Sequence, residues 1–172
     1  SSQDPRHFVH KLLGIILGGN MSSRMFLNIR EAKGMCYYID TDSDAYLDAG
    51  ALTTRAGIDQ SRLDEAIKLI IAEYDKVVEG GVEDDEVARA KAYLKGSIIL
   101  SLEDSEELAH FYGKQKLLYP KIRDIEEYIT EIEKVEKGEI DQLAKDLLAH
   151  ENLRLAVIGN TDNKAGLESL LQ

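Results

Sequence analysis

The spacing of hydrophobic residues predicts a chain built mainly from helices. From 63 to 78, apolar side chains recur with the period of an amphipathic helix, and Gly80-Gly81 ends the pattern. A second helix should follow, because the acidic run 83–86 suits a helix N-terminus and an apolar line continues to Leu102. Three shorter helices are predicted at 108–118, 125–135 and 140–148.

The pattern of residues 1–34 predicts two further helices. Asp4-Pro5 is typical of a helix start, and the stretch 8–17 is apolar on nearly every side, so this helix should be deeply buried. Gly18-Gly19 ends it. A second short helix around Ile29 should end at Gly34, a residue type that often follows the last helical turn.

A β-hairpin is predicted after these two helices. The segments 35–42 and 45–56 are rich in Tyr, Thr and Ile with partial alternation, and Asp42-Ser43-Asp44 forms a polar link between them. On the first strand, period-two alternation places three side chains on one face, namely Tyr37, Ile39 and Thr41.

Near the C-terminus, the run 153–159 predicts a third, buried strand, and Thr161 or Asp162 could cap a short final helix. The pattern favours an α+β fold in which an antiparallel sheet of three to four strands packs with about seven helices, and 1–172 form a single domain. A sheet with so few strands suggests that some of its strands lie upstream of Ser1.

Composition narrows the function classes. The chain has 172 residues, with 32 acidic and 21 basic side chains and a net charge of −11, which argues against nucleic acid as a partner. No apolar run approaches the roughly 18–20 residues that a membrane span needs. Cys36 is the only cysteine, so a disulfide framework and a multi-cysteine zinc site are excluded. The compartment stays open, with the cytoplasm favoured.

Motifs for self-contained catalysis are missing. Neither H-E-x-x-H nor H-x-x-E-H occurs among the four histidines. His7 and His10 are three residues apart but have no third ligand nearby, and Glu107 with His110 forms a Glu-x-x-His element without the second copy that a di-iron bundle requires. We therefore expect no catalytic residue and no bound metal in this chain.

One segment carries a specific signal. Its sequence is L-G-G-N-M-S-S-R-M-F-L-N-I-R-E-A-K-G-M-C-Y, from Leu17 to Tyr37. It resembles the second half-domain of the pitrilysin and mitochondrial-processing-peptidase family, the inverted zincins, whose pattern is roughly L-G-G-G-x-S-S-R-L-F-x-x-I-R-E-x-x-G-L-x-Y. Asn20 replaces a glycine, and Met25 and Met35 stand where leucine is usual. Further matches follow in order, so the resemblance covers nearly the whole chain.

The resemblance implies a half-domain of processing-peptidase (LuxS-like) type, one half of a clamshell that closes around a peptide. The zinc and its H-x-x-E-H ligands belong to the other half. This chain would be the non-catalytic, peptide-binding half of a zinc endopeptidase, inactive alone and lacking its first strands. Its partners would be the zinc-bearing half, on the same chain or a separate subunit, and a peptide substrate; a homodimer is an open alternative.

Two site residues come with the resemblance. The family's second half supplies an arginine and a tyrosine, seven positions apart, to the facing active site, and they match Arg30 and Tyr37. A guanidinium and a phenol both donate hydrogen bonds, which suits a peptide carbonyl that gains negative charge. From residue chemistry alone, Arg30 could instead complement the helix dipole and Tyr37 could pack on the sheet.

Two other functions fit the sequence. The chain could be a scaffold or assembly subunit that kept this fold within a larger complex and lost the chemistry. It could also be a helix-rich peptide-binding module without an enzymatic partner.

Overall fold

The computed structural model describes residues 1–119, 121–159 and 163–171 of the chain. Its regular elements, in order, are helix α1 (His7–Gly18), a π-helix (Phe26–Glu31), strands β1 (Cys36–Ala45) and β2 (Gly50–Ile58), and helices α2 (Leu63–Gly80), α3 (Asp84–Ser101), α4 (Ser105–Leu118), α5 (Ile125–Lys134), α6 (Lys137–Leu147) and α7 (Lys164–Ser169). Two short 3₁₀ turns cover Gln60–Arg62 and His150–Asn152. Residues 161 and 162, predicted to cap the last helix, lie outside the described ranges.

Helix α1 is the centre of the hydrophobic core, as its all-round apolar pattern predicts. Leu12, Leu13 and Leu17 have no exposed surface. One side of α1 packs on β1, and other sides contact α3, α5 and α6. A helix buried on several sides needs apolar residues on several faces, which explains why its polar side chains are confined to one side of its first half, at His7, His10 and Lys11.

The sheet consists of β1 and β2, paired antiparallel. The prediction of a hairpin is confirmed, but the predicted turn is wrong. Asp42, Ser43 and Asp44 lie within β1 and pair with β2, and the turn falls at 46–49 instead. Arg55 on β2 explains how strand pairing tolerates these acidic residues, because its guanidinium forms ion pairs with Asp42 and, at 3.6 Å, with Asp44.

The prediction of three to four strands is not confirmed within the described residues, which form two. The run 153–159 is not a strand. It was predicted to be buried, yet Leu155 is 39% exposed and Ile158 is fully exposed. An extended segment becomes a strand only when a neighbour completes its hydrogen bonds, and among the described residues no strand pairs with this run.

A buried polar chain joins the hairpin to α2. The hydroxyl of Tyr74 donates to Thr54 Oγ1 at 2.6 Å, and the hydroxyls of Thr54 and Thr41 are 2.7 Å apart. Thr41 is 2% exposed, so its hydroxyl needs this partner. The core therefore fixes the hairpin relative to α2 through hydrogen bonds as well as apolar contacts.

Within the described ranges, no helix combines the length and the hydropathy that crossing a bilayer requires.

Candidate functional site

Arg30 lies on the π-helix Phe26–Glu31, a wider turn than the α-helix that the sequence predicts. The amide of Ala32 donates to the carbonyl of Leu27 at 3.0 Å, five residues back, which is the π-helical pattern. The Arg30 side chain is exposed, and its guanidinium carbon lies 4.8 Å from the centre of the Phe26 ring. This cation–π contact restricts the exposed guanidinium.

Gly34 turns the chain from the π-helix into β1. Its φ is +54°, in the left-handed region that glycine adopts without strain. Its amide donates to the Arg30 carbonyl at 3.0 Å, and the next amide, that of Met35, donates to Ile29 at 3.2 Å. Met35 is 2% exposed and anchors the start of the strand. The helix ends at Glu31, three residues before the predicted end, and Gly34 makes the turn into the strand.

Tyr37 is the extra residue of a β-bulge. Cys36 pairs with Ile58 and Tyr38 pairs with Gly57, so Tyr37 has no partner on β2. Its side chain is 79% exposed, whereas Ile39 and Thr41 are buried. The predicted shared face for these three side chains is therefore wrong at Tyr37, because a bulge breaks the strict alternation on which the prediction rested.

The π-helix that carries Arg30 packs against β1. Burial raises the pKa of the Cys36 thiol, and the positive charge of Arg30 opposes that rise. Both predicted site residues are exposed, and each lies on a backbone irregularity of a kind that is frequent at functional sites.

Arg24 attaches the start of the segment that carries Arg30 to helix α3. Its Nη2 lies 2.6 Å from Glu86 Oε2, its Nε donates to Glu86 Oε1 at 2.7 Å, and Nη2 also donates to the Gly81 carbonyl at 3.1 Å. Burial acts to raise the pKa of Glu86, but hydrogen bonds from Arg24 and from the Glu83 amide outweigh it and lower that pKa. Both side chains are 15% exposed, so the pair is shielded from water.

Two other helix positions hold the same segment. Asn28, in the middle of the π-helix, donates from Nδ2 to Glu73 Oε2 on α2 at 2.9 Å. Arg62, just before α2, donates from Nη1 to the Gly34 carbonyl at 2.9 Å. The segment that carries Arg30 is thus attached to α3 at one end and to the region of α2 at its middle and far end.

Two of these attachments were missed by the sequence analysis, although a signal existed for one of them. Arg24 and Glu86 lie 62 residues apart, and no local pattern links them. Glu73 lies within the apolar stripe of α2, which includes Ile70, Tyr74 and Val77. A charged residue in such a stripe indicates a buried polar contact.

The described residues contain no cluster of three or more His, Cys, Asp or Glu side chains that could hold a metal ion. His10 Nδ1 hydrogen-bonds Ser43 Oγ. Burial, reinforced by the charge of Lys11 and by His10, lowers the pKa of His7 to about 4.

Comparison with known proteins gives the family. Residues 1–94 match the family model described as the peptidase M16 inactive domain. The chain belongs to this family. An uncharacterized zinc protease of Streptomyces coelicolor is 32% identical over 161 residues, which are 94% of this chain and 35% of that protein. The resemblance found in the sequence is thus confirmed.

Solved structures agree with the M16 assignment. The peptidase M16 inactive domain from Pseudomonas fluorescens matches with a TM-score of 0.74 at 17% identity, over 83% of this chain and 34% of that one. A conserved protein from Enterococcus faecalis matches with a TM-score of 0.73 at 28% identity, over 80% and 32%. The chain spans about a third of the length of the curated relatives it matches.

Proposed function

We propose that residues 1–172 form the non-catalytic, peptide-binding half of a zinc-dependent endopeptidase. The zinc-bearing half, on the same polypeptide or on a separate subunit, would be its partner, and a peptide would be the substrate. In this proposal Arg30 and Tyr37 reach from this half into the active site of the other.

The observation that carries the proposal is the placement of these two residues. Both are exposed, one on a π-helix and one on a β-bulge, on either side of the tight turn at Gly34. Neither side chain is buried in the core, and a β-bulge often redirects a side chain beside an active site.

The chemistry that the pair offers is hydrogen-bond donation. The guanidinium carries several N–H donors and a permanent positive charge, and the phenol carries one O–H donor. When a peptide carbonyl becomes tetrahedral, its oxygen gains negative charge, and donors already in position stabilise it without reorganising. Arg30 and Tyr37 would bind and orient the peptide in this way.

Reconstitution tests the proposal. The open reading frame and its neighbours should encode an H-x-x-E-H half, and a mixture of internally quenched peptides of random sequence should be cleaved only when both halves are present. This chain alone should cleave none. A neighbouring half without the motif would favour the scaffold function instead, and a zinc half that is fully active without this chain would contradict the peptide-binding role.

A further inference from the structure

The π-helix needs contacts from outside to persist. Its i to i−5 hydrogen bonds are rarely favoured over α-helical ones, so a six-residue π-helix depends on its surroundings. Arg24 and Arg62 hold residues that flank it. The side-chain hydrogen bond that falls within it is the one from Asn28 to Glu73.

Glu73 is an unusual partner because it is buried. Its side chain is 5% exposed, on the face of α2 that also buries Tyr74 and Val77. Placing a carboxylate there costs free energy unless donors satisfy it. Lys76 Nζ lies 2.5 Å from Oε1, and Asn28 Nδ2 donates to Oε2 at 2.9 Å, so each oxygen has one donor. The Lys76 contact is local to α2, whereas the Asn28 contact crosses to the π-helix.

The bond has a geometric consequence for Arg30. Asn28 lies two residues before Arg30 on the same helical turn. Tying Asn28 to a buried acceptor restricts the rotation of the π-helix about its axis, together with the burial of Ile29. That rotation sets the direction in which Arg30 leaves the helix, and the stacking on Phe26 restricts it further.

We propose that Glu73 is a positioning residue that acts through Asn28 to hold the π-helical turn and aim Arg30. This inference rests on the proposed function, since it assigns a purpose to the direction of Arg30. It adds Asn28 and Glu73 to the residues on which the direction of Arg30 depends.

A double-mutant cycle in the intact peptidase, with both halves present, tests the inference. The variants are Asn28→Ala, Arg30→Ala and their combination, and the measurement is kcat/KM for internally quenched peptides of random sequence. Asn28→Ala should lower kcat/KM roughly tenfold, because a small misplacement of a donor is costly. In the Arg30→Ala background it should cause no further loss, since no guanidinium is left to aim.

Three further variants separate positioning from folding. Lys76→Ala removes the other partner of Glu73 without touching the π-helix, so it should lower the unfolding midpoint but keep kcat/KM within about twofold of wild type. Glu73→Gln keeps an acceptor oxygen for Asn28 and should retain most of the rate that Glu73→Ala loses. Unfolding midpoints of all variants show whether any loss of rate follows a loss of fold.

The outcomes are distinct. If Arg30→Ala lowers kcat/KM but Asn28→Ala does not, or if Asn28→Ala is equally harmful with and without Arg30, the positioning role is wrong and the proposed function stands. If Arg30→Ala leaves kcat/KM unchanged, the role of Arg30 in the proposed function fails, and the inference fails with it.

Discussion

Gly18 and Thr41 bring α1 and β1 into direct backbone contact. A β-carbon at Gly18 would lie 2.5 Å from the backbone nitrogen of Thr41, closer than the 3.0 Å that real β-carbons keep from their neighbours. The last turn of α1 can therefore approach the sheet only without a side chain at this position. The close approach buries the Thr41 hydroxyl and directs it to Thr54.

Gly18→Ala should destabilise the fold by about 1–3 kcal/mol, because the added methyl group must push α1 away from the sheet. Gly96→Ala is the matched control. Gly96 lies inside α3 with no atom near its absent β-carbon, so alanine there should be neutral or stabilising by up to about 1 kcal/mol. Urea unfolding followed by circular dichroism measures both. Equal effects of the two substitutions would contradict the contact.

Arg24→Ala should destabilise the chain by about 1.5–3 kcal/mol, since it leaves the shielded Glu86 carboxylate without its charged donor. Arg89→Ala, on the helix α3 that also carries Glu86, is the control. Arg89 pairs with Asp85, but both side chains are at least half exposed, so its loss should cost less than about 1 kcal/mol. Thermal unfolding of the two variants under the same conditions compares them. A larger effect of Arg89→Ala would mean that the Arg24 pair does not anchor the segment.

The stability of the chain should fall as the pH drops from about 6.5 to about 4, and His7 should contribute to this loss. The pKa of His7 is lowered from 6.5 to about 4 in the folded chain, chiefly by burial. Between these values the unfolded chain binds a proton at His7 that the folded chain does not, so acid favours unfolding. The contribution is at most about 1.4 kcal/mol per pH unit.

His7→Asn should remove this acid-dependent loss of stability. It should not change how stability depends on pH above pH 7. Between pH 7 and pH 4.5 the wild type should therefore lose more unfolding free energy than the variant. Between pH 7 and pH 8.5, above both pKa values, the two should change in parallel. An identical acid loss in both proteins would show that His7 is not held in its neutral form by the fold.

Local sequence patterns were sufficient for most of the helices. The apolar stripe that ends at Gly80 and the acidic run before α3 predicted α2 and α3 with nearly the bounds that the structure shows. They succeed because helix periodicity and end signals are set by residues close in sequence. The turn at Gly34 was predictable for the same reason.

The strands and the irregular turns were harder to predict because non-local partners decide them. Asp42, Ser43 and Asp44 looked like a turn by their composition, but Arg55 across the hairpin makes them a stable part of β1. The run 153–159 had the composition of a strand, but no described strand pairs with it. Neither the π-helix nor the bulge at Tyr37 has a local signature, so their presence at Arg30 and Tyr37 came from the structure alone.

The most direct test of the central claim is kcat/KM of Arg30→Ala and of Tyr37→Phe in the intact peptidase. Removing one donor to a developing oxyanion typically lowers the rate about 10²–10³-fold, and each variant should show a loss of that order with an unchanged unfolding midpoint. Tyr38→Phe is the control, because Tyr38 is also exposed but has a partner, Gly57, on β2. Its kcat/KM should stay within about twofold of wild type. Wild-type kcat/KM in both Arg30→Ala and Tyr37→Phe would contradict the account.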